Sequence, residues 1–121
     1  MDDRAMHIGE LAERTGLSHR TIRHYDEVGI LTPGRTEGGF RLYGHADEER
    51  LLLIRRMKPL GYTLDEMREL LDVVDGLLAD PAATAVRARL EGMRTEAAAR
   101  RATLAAQVAA ADEFLERLGA L

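Results

Sequence analysis

The sequence predicts a mainly α-helical protein with one short β-hairpin and a long helix at its end. Three observations carry this. Two short amphipathic stretches flank Thr15-Gly16. A Gly38-Gly39 pair is followed by Phe40-Arg41-Leu42-Tyr43, apolar and polar in alternation. From Pro81 to Leu118 no further proline intervenes, and Gly92 is the only interior glycine of an alanine-rich run. The 121 residues suit about one domain's worth of chain, here divided into residues 1–78 and a terminal helix, 79–121.

Composition narrows the classes. The chain is 45% hydrophobic but only 4% aromatic, so its core must be aliphatic. Charged residues reach 31%, which fits long exposed helices. There is no cysteine, so disulfides, iron–sulfur clusters and thiolate metal sites are excluded within these residues. No apolar run approaches the roughly 18 residues that span a bilayer, and no leader pattern opens the chain. A cytoplasmic protein with no membrane association is the expectation. The net charge of −4 is unevenly placed. Residues 1–62 hold ten Lys/Arg and ten Asp/Glu, whereas residues 63–121 hold seven and eleven. All four histidines (His7, His19, His24 and His45) lie in the first half.

Residues 1–7 read as a polar lead-in. Ile8, Leu11 and Ala12 then share one helical face, and Thr15-Gly16 stops that helix. Ser18 suits the cap of a second helix, because its hydroxyl can accept from an orphan backbone N–H. Ile22 and Tyr25 lie one turn apart and point inward. His19, Arg20, Thr21, Arg23 and His24 are left outside. That face suits phosphates and base edges, or is an ordinary solvated surface. Ala12, Gly16 and Ile22, at intervals of four and six, decide for a helix-turn-helix over a generic helical hairpin. The crossing needs a small residue, the turn a glycine, and the second helix a branched apolar anchor.

Gly29 ends the second helix. The Gly38-Gly39 turn between Arg35 and Arg41 predicts a two-stranded wing. Arg35 and Arg41 are then phosphate contacts, with Tyr43 secondary, or simply solvated residues of a plain hairpin. Residues 45–60 form a third helix on the stripe Leu51, Ile54 and Met57. Its exit carries Arg55, Arg56 and Lys58, and Lys58 is a further candidate DNA contact. Thr63-Leu64-Asp65-Glu66 is a capping box that starts a fourth helix. Leu64, Met67, Leu70, Leu71, Val74 and Leu78 give it an apolar face, expected to pack on the helix-turn-helix.

Asp80-Pro81 reads as the cap and first position of the last helix. It runs roughly 37 residues, or about 55 Å. Leu90, Ala97, Leu104, Ala111 and Leu118 recur every seven residues. Met93, with Val86, flanks the row early; Val108 and Leu115 flank it later. Such a row needs a partner helix, and a homodimer covers it better than the chain's own first half.

Ile8-Gly9-Glu10-Leu11-Ala12, Thr21-Ile22-Arg23-His24-Tyr25-Asp26, Gly29-Ile30-Leu31, Pro33, Arg35, Gly39-Phe40-Arg41-Leu42-Tyr43 and Leu60-Gly61-Tyr62-Thr63-Leu64-Asp65-Glu66-Met67 occur in one order and spacing. Over about residues 8–75 the chain resembles the MerR family of bacterial transcription regulators. His24 departs from the aromatic common there, and Gly44 from a serine cap. The resemblance implies an antiparallel coiled coil of the last helix; with that pairing Leu104, the middle of the heptad row, lies near the twofold axis and Met93 approaches Phe114 of the partner. It implies a dimer that binds an overlong spacer of double-stranded promoter DNA and distorts it, so that RNA polymerase is served indirectly. The candidate DNA contacts are Ser18, His19, Arg20, Thr21, Arg23, His24, Tyr25, Arg35, Arg41, Tyr43 and Lys58; Tyr25 serves equally as core. Cysteine sensors and a C-terminal ligand domain, the inputs of many relatives, are not expected here. An unidentified small-molecule effector, a protein partner, or no input stays open.

No catalytic constellation, metal-ligand spacing, phosphate loop or dinucleotide fingerprint occurs, so neither an enzyme nor a cofactor is expected. The rival readings are a helical dimerisation adaptor for other proteins and a small-molecule-binding dimer whose DNA role is secondary.

Overall fold

The computed structural model describes residues 5–121; of the lead-in, residues 1–4 lie outside the described residues. The element order is α1 (Ile8–Thr15), α2 (His19–Glu27), β1 (Gly34–Arg35), β2 (Arg41–Leu42), α3 (His45–Met57), α4 (Leu64–Ala79) and α5 (Thr84–Gly119). A 3₁₀ turn, Lys58–Leu60, takes up Pro59. The chain divides into two compact units, residues 1–58 and 59–121. The sequence reading groups α4 with the first domain; α4 also packs on α5 within the second unit.

In the first unit α1 packs on α2 and on α3. The core is aliphatic as composition requires, with Leu11, Ile22, Ile30, Leu51 and Ile54 fully buried. Gly16 ends α1 at φ 71°, where a side chain is strained, and its N–H donates to the Ala12 carbonyl. The Thr15 hydroxyl, also buried, donates to the Leu11 carbonyl at 2.8 Å. Arg55 reaches back from α3 and donates to the Thr15 carbonyl at 3.0 Å. Part of the basic exit therefore braces the turn.

The wing is shorter than the alternation suggested, with Gly34 opposite Leu42 and Arg35 opposite Arg41. Thr36 closes its turn: its carbonyl accepts from Gly39, and its hydroxyl from the Phe40 N–H. Met6 corrects the picture of a polar lead-in. It is buried and forms an antiparallel bridge with Tyr43, with N–H to O distances of 2.7 and 2.8 Å. Gly44 gives α3 no side-chain cap, but the reciprocal half of a capping box is supplied by Asp47. Its buried carboxylate accepts from the Gly44 N–H at 2.9 Å and from the Thr32 N–H at 3.4 Å.

In the second unit α4 and α5 pack together. The predicted capping box is present: the Thr63 hydroxyl accepts from the Glu66 N–H at 3.2 Å, and the Glu66 carboxylate from the Thr63 N–H at 2.8 Å. Helix α5 starts later than Asp80-Pro81 suggested. Asp80 ends α4 instead, and its carboxylate holds the Ala82 N–H within the intervening turn. Gly76 lies against Val86; a Cβ there would stand 3.2 Å from Val86 Cγ1. Glu66 and Gly76 mark the side of α4 that meets α5, and the fully buried Val73 falls between them on the helical wheel. The predicted stripe through Met67, Leu71 and Val74 is a neighbouring one, and Leu78 at its end is 75% exposed.

Candidate nucleic-acid interface

The first surface is built on α2. The Ser18 hydroxyl accepts from the Thr21 N–H at 3.1 Å and donates to the Thr21 hydroxyl at 2.9 Å. Those two hydroxyls thus fix the helix start. Ile22 and Tyr25 are buried, and this turns His19, Arg20, Arg23 and His24 into solvent, as the spacing predicted.

Asp26, which the sequence reading left out of the site, ties the wing to α2. Its Oδ2 lies 2.7 Å from Arg41 Nε and accepts from the Tyr43 hydroxyl at 3.1 Å. Tyr43 is fully buried. Burial, then the Asp26 hydrogen bond and charge, push the phenol up to about 12. Tyr43 is therefore part of the frame rather than an exposed contact, which corrects its place among the candidate DNA contacts. The same holds for Tyr25, whose ring lies beneath Lys58 Nζ at 5.9 Å. Lys58 itself is exposed, as is Arg35, which donates to the Gly39 carbonyl at 3.2 Å. Arg41 is half-buried.

Between α1, α2 and the wing runs a groove of about 240 Å³ lined by His7, Ile8, Arg23, Arg35, Gly39, Phe40, Arg41 and Tyr43. It gathers three predicted arginines from three places in the chain. It also brings in two residues that sequence reasoning missed. Phe40 is 68% exposed and lies at the groove's edge. His7 had no signal beyond its position before α1. Ser18, His19, Arg20, Thr21, His24 and Lys58 do not line this groove. Among the described residues no cluster of three metal-ligating side chains occurs.

The second predicted surface is split. Leu90, Met93 and Ala97 are half-buried on the face, shared with Val86 and Arg100, that α4 covers. Helix α4 thus covers part of the heptad row that the sequence reading assigned to a partner helix. Arg100 closes the covered part. It pairs with Glu66 and Glu96, donates to the Leu60 carbonyl at 3.3 Å, and stacks 3.8 Å from the Tyr62 ring centroid. The pair with Glu96 and Glu66 raises the guanidinium's pKa, while the Thr63 N–H first, and then Arg100, lower that of Glu66. Beyond Arg100 the same face emerges into solvent as Leu104, Val108, Ala111, Leu115 and Leu118, with Phe114 beside it.

A helix-turn-helix joined by a two-stranded wing, with arginines gathered between them, defines a winged helix-turn-helix protein. The chain belongs to the MerR family: the MerR HTH family regulatory protein model matches residues 6–73, and a second, MerR, DNA binding, matches residues 48–120. It is 48% identical over 69 residues to the mercuric resistance operon regulatory protein of Bacillus cereus, covering 56% of this chain and 52% of that protein. The chain spans about half the length of such curated relatives. Its fold is similar to a MerR-family transcriptional regulator from Bacillus thuringiensis, with a TM-score of 0.74 at 18% identity over 98% of this chain and 100% of that one. It is also similar to HiNmlR, a MerR family regulator lacking the sensor domain, solved bound to promoter DNA. There the TM-score is 0.65 at 23% identity, over 93% of this chain and 80% of that one. No described helix is long and apolar enough to cross a membrane.

Proposed function

We propose that the chain is a sequence-specific, DNA-binding transcription regulator that acts in the cytoplasm as a homodimer. The observation that carries this is the groove in which Arg23 of α2 meets Arg35 and Arg41 of the wing, beside the exposed face of α2. His19, Arg20 and Arg23 enter the major groove, while Arg35 and Arg41 hold the flanking backbone. Asp26 aims Arg41 and neutralises part of its charge. Lys58 adds a peripheral contact. The net acidity is no obstacle, because the excess of four acidic residues falls in residues 63–121, outside this surface.

The second copy is needed for the open half of α5. Antiparallel pairing of only the uncovered face, Leu104 to Leu118, brings Leu104 opposite Leu118 and Val108 near Leu115 of the partner. The twofold axis then falls near Ala111. This shifts the axis two turns from the position, near Leu104, that the whole heptad row implied, because α4 already occupies the earlier part. A Cys at position 111 should cross-link between chains under oxidation far more readily than one at 104, since a disulfide needs Cα atoms about 5.5–6 Å apart.

Binding to a promoter spacer by two such units distorts the duplex, at a cost of a few kcal/mol offset by the added contacts. RNA polymerase then responds to the DNA. These 121 residues contain no cysteine, so they hold no thiolate-bound metal themselves. The test is affinity for duplex DNA against salt. The expected result is a steep fall between 50 and 200 mM salt. Arg23→Ala should weaken binding about tenfold or more and reduce the salt slope, with the dimer intact. Salt-independent or absent DNA binding would favour a protein-interaction adaptor.

A further inference from the structure

His7 stands apart from the other histidines. His19 and His24 lie on the exposed face of α2, outside the groove. His45 lies on α3 with its ring nitrogens 3.8 Å from Glu48 and 3.5 Å from Glu49. His7 alone lines the groove with the three arginines. It precedes the first turn of α1 as its N-cap, yet its side chain makes no capping bond, so the imidazole is not used by the helix. From α2 it faces Arg23; from the wing, Arg35 and Arg41; and Tyr43 closes the floor as a neutral phenol bonded to Asp26. On α1 itself the nearest carboxylate, Glu10, pairs with Arg14 at 3.8 Å. The Asp26 carboxylate is engaged by Arg41 and Tyr43. Among the described residues, the imidazole therefore shares the groove with three guanidiniums, beside the N-terminus of α1.

We propose that His7 makes DNA binding by this chain proton-linked, its imidazolium serving as a fourth cation against the phosphate that enters the groove. The inference rests on the DNA-binding reading and deepens it. A backbone phosphate in the groove supplies negative charge beside the imidazole and the three guanidiniums that line it. An imidazole changes charge between pH 5 and 8. Binding then takes up a proton, and affinity rises as pH falls, by at most one logarithmic unit per pH unit for one linked group.

The experiment titrates a labelled duplex, selected from a random-sequence pool by the wild-type chain, at pH 6.0 and pH 7.5 and fixed ionic strength. Wild type should bind about five- to tenfold more tightly at pH 6.0. His7→Gln should reduce that ratio to about twofold or less, with an unchanged circular dichroism spectrum and melting temperature. His7→Lys carries the charge permanently and should bind tightly at both pH values. His45→Gln, on α3 beside Glu48 and Glu49, should keep the wild-type ratio. A wild-type ratio near one overturns the inference. So does an unchanged ratio in His7→Gln, or its loss in His45→Gln. Failure to select or bind any duplex at either pH overturns the DNA-binding reading, and this inference with it.

Discussion

The two units dispose of apolar surface in opposite ways. In residues 5–58, three helices and a wing enclose Leu11, Ile22, Ile30, Leu51 and Ile54 completely, and charged side chains brace the enclosure. In residues 59–121, α4 covers one stretch of α5 and stops at Arg100, so a continuous apolar face runs from shelter into water. The face itself does not change at that point. Val86, Leu90 and Met93 lie on the same side of the helix as Leu104, Val108 and Leu115. What changes is the supply of a partner element. The first unit is finished within one chain; on the proposed reading the second is finished by another.

The comparison breaks most severely if the first unit loses its anchor. Ile22→Ala leaves a cavity where α2 meets the core and should cost about 2–5 kcal/mol, read as a lower denaturant midpoint together with loss of DNA binding. The same kind of change on the open face of α5 should behave differently. Leu115→Asp should leave the circular dichroism spectrum intact but shift the chain from dimer to monomer by sedimentation. It should also weaken DNA binding at least tenfold, through loss of the linked second site. If Leu115→Asp melts the chain as Ile22→Ala does, the contrast between the units is wrong.

Two smaller effects sharpen the contrast through pH. The Tyr43 phenol in the first unit has its pKa raised to about 12. Its contribution is fully present below pH 10 and is lost as pH rises from 10 through 12. Wild type should lose on the order of 1–2 kcal/mol over that window. Tyr43→Phe should be less stable at neutral pH and lack that alkaline slope. In the second unit the shift is opposite, because the Thr63 N–H and Arg100 lower the pKa of Glu66. That contribution is present above the usual carboxylate range and is lost as pH falls through the lowered pKa. Arg100→Gln should reduce the acid sensitivity of α4 by the smallest of these effects, read as melting temperature against pH below 5.

Much of the fold was legible because local chemistry and burial point the same way. Gly16 must turn, Ser18 must cap, and Ile22 and Tyr25 must face inward whatever lies across from them. The Thr63–Glu66 capping box needs only four residues and appears as read. Errors came where a residue's role depends on a distant neighbour. Leu78 has an apolar side chain at a correct helical spacing and still faces solvent, because α5 lies along the side of α4 marked by Val73 and Gly76. Tyr43 alternates correctly for a wing residue, but Met6 and Asp26 enclose it. His7 and Phe40 became visible as groove residues only when the wing folded back beside α1 and α2.

The sequence by itself determined the elements, their order and the two faces of α2 and α5, since periodicity, caps and turn residues act within a few positions of the chain. Only the tertiary structure decided which arginines share a groove, which tyrosines are frame rather than surface, and where along α5 shelter ends. Those are matters of contact between residues up to 40 positions apart, as with Arg55 and Thr15 or Arg100 and Leu60. No local pattern encodes such a pairing until packing brings the partners together.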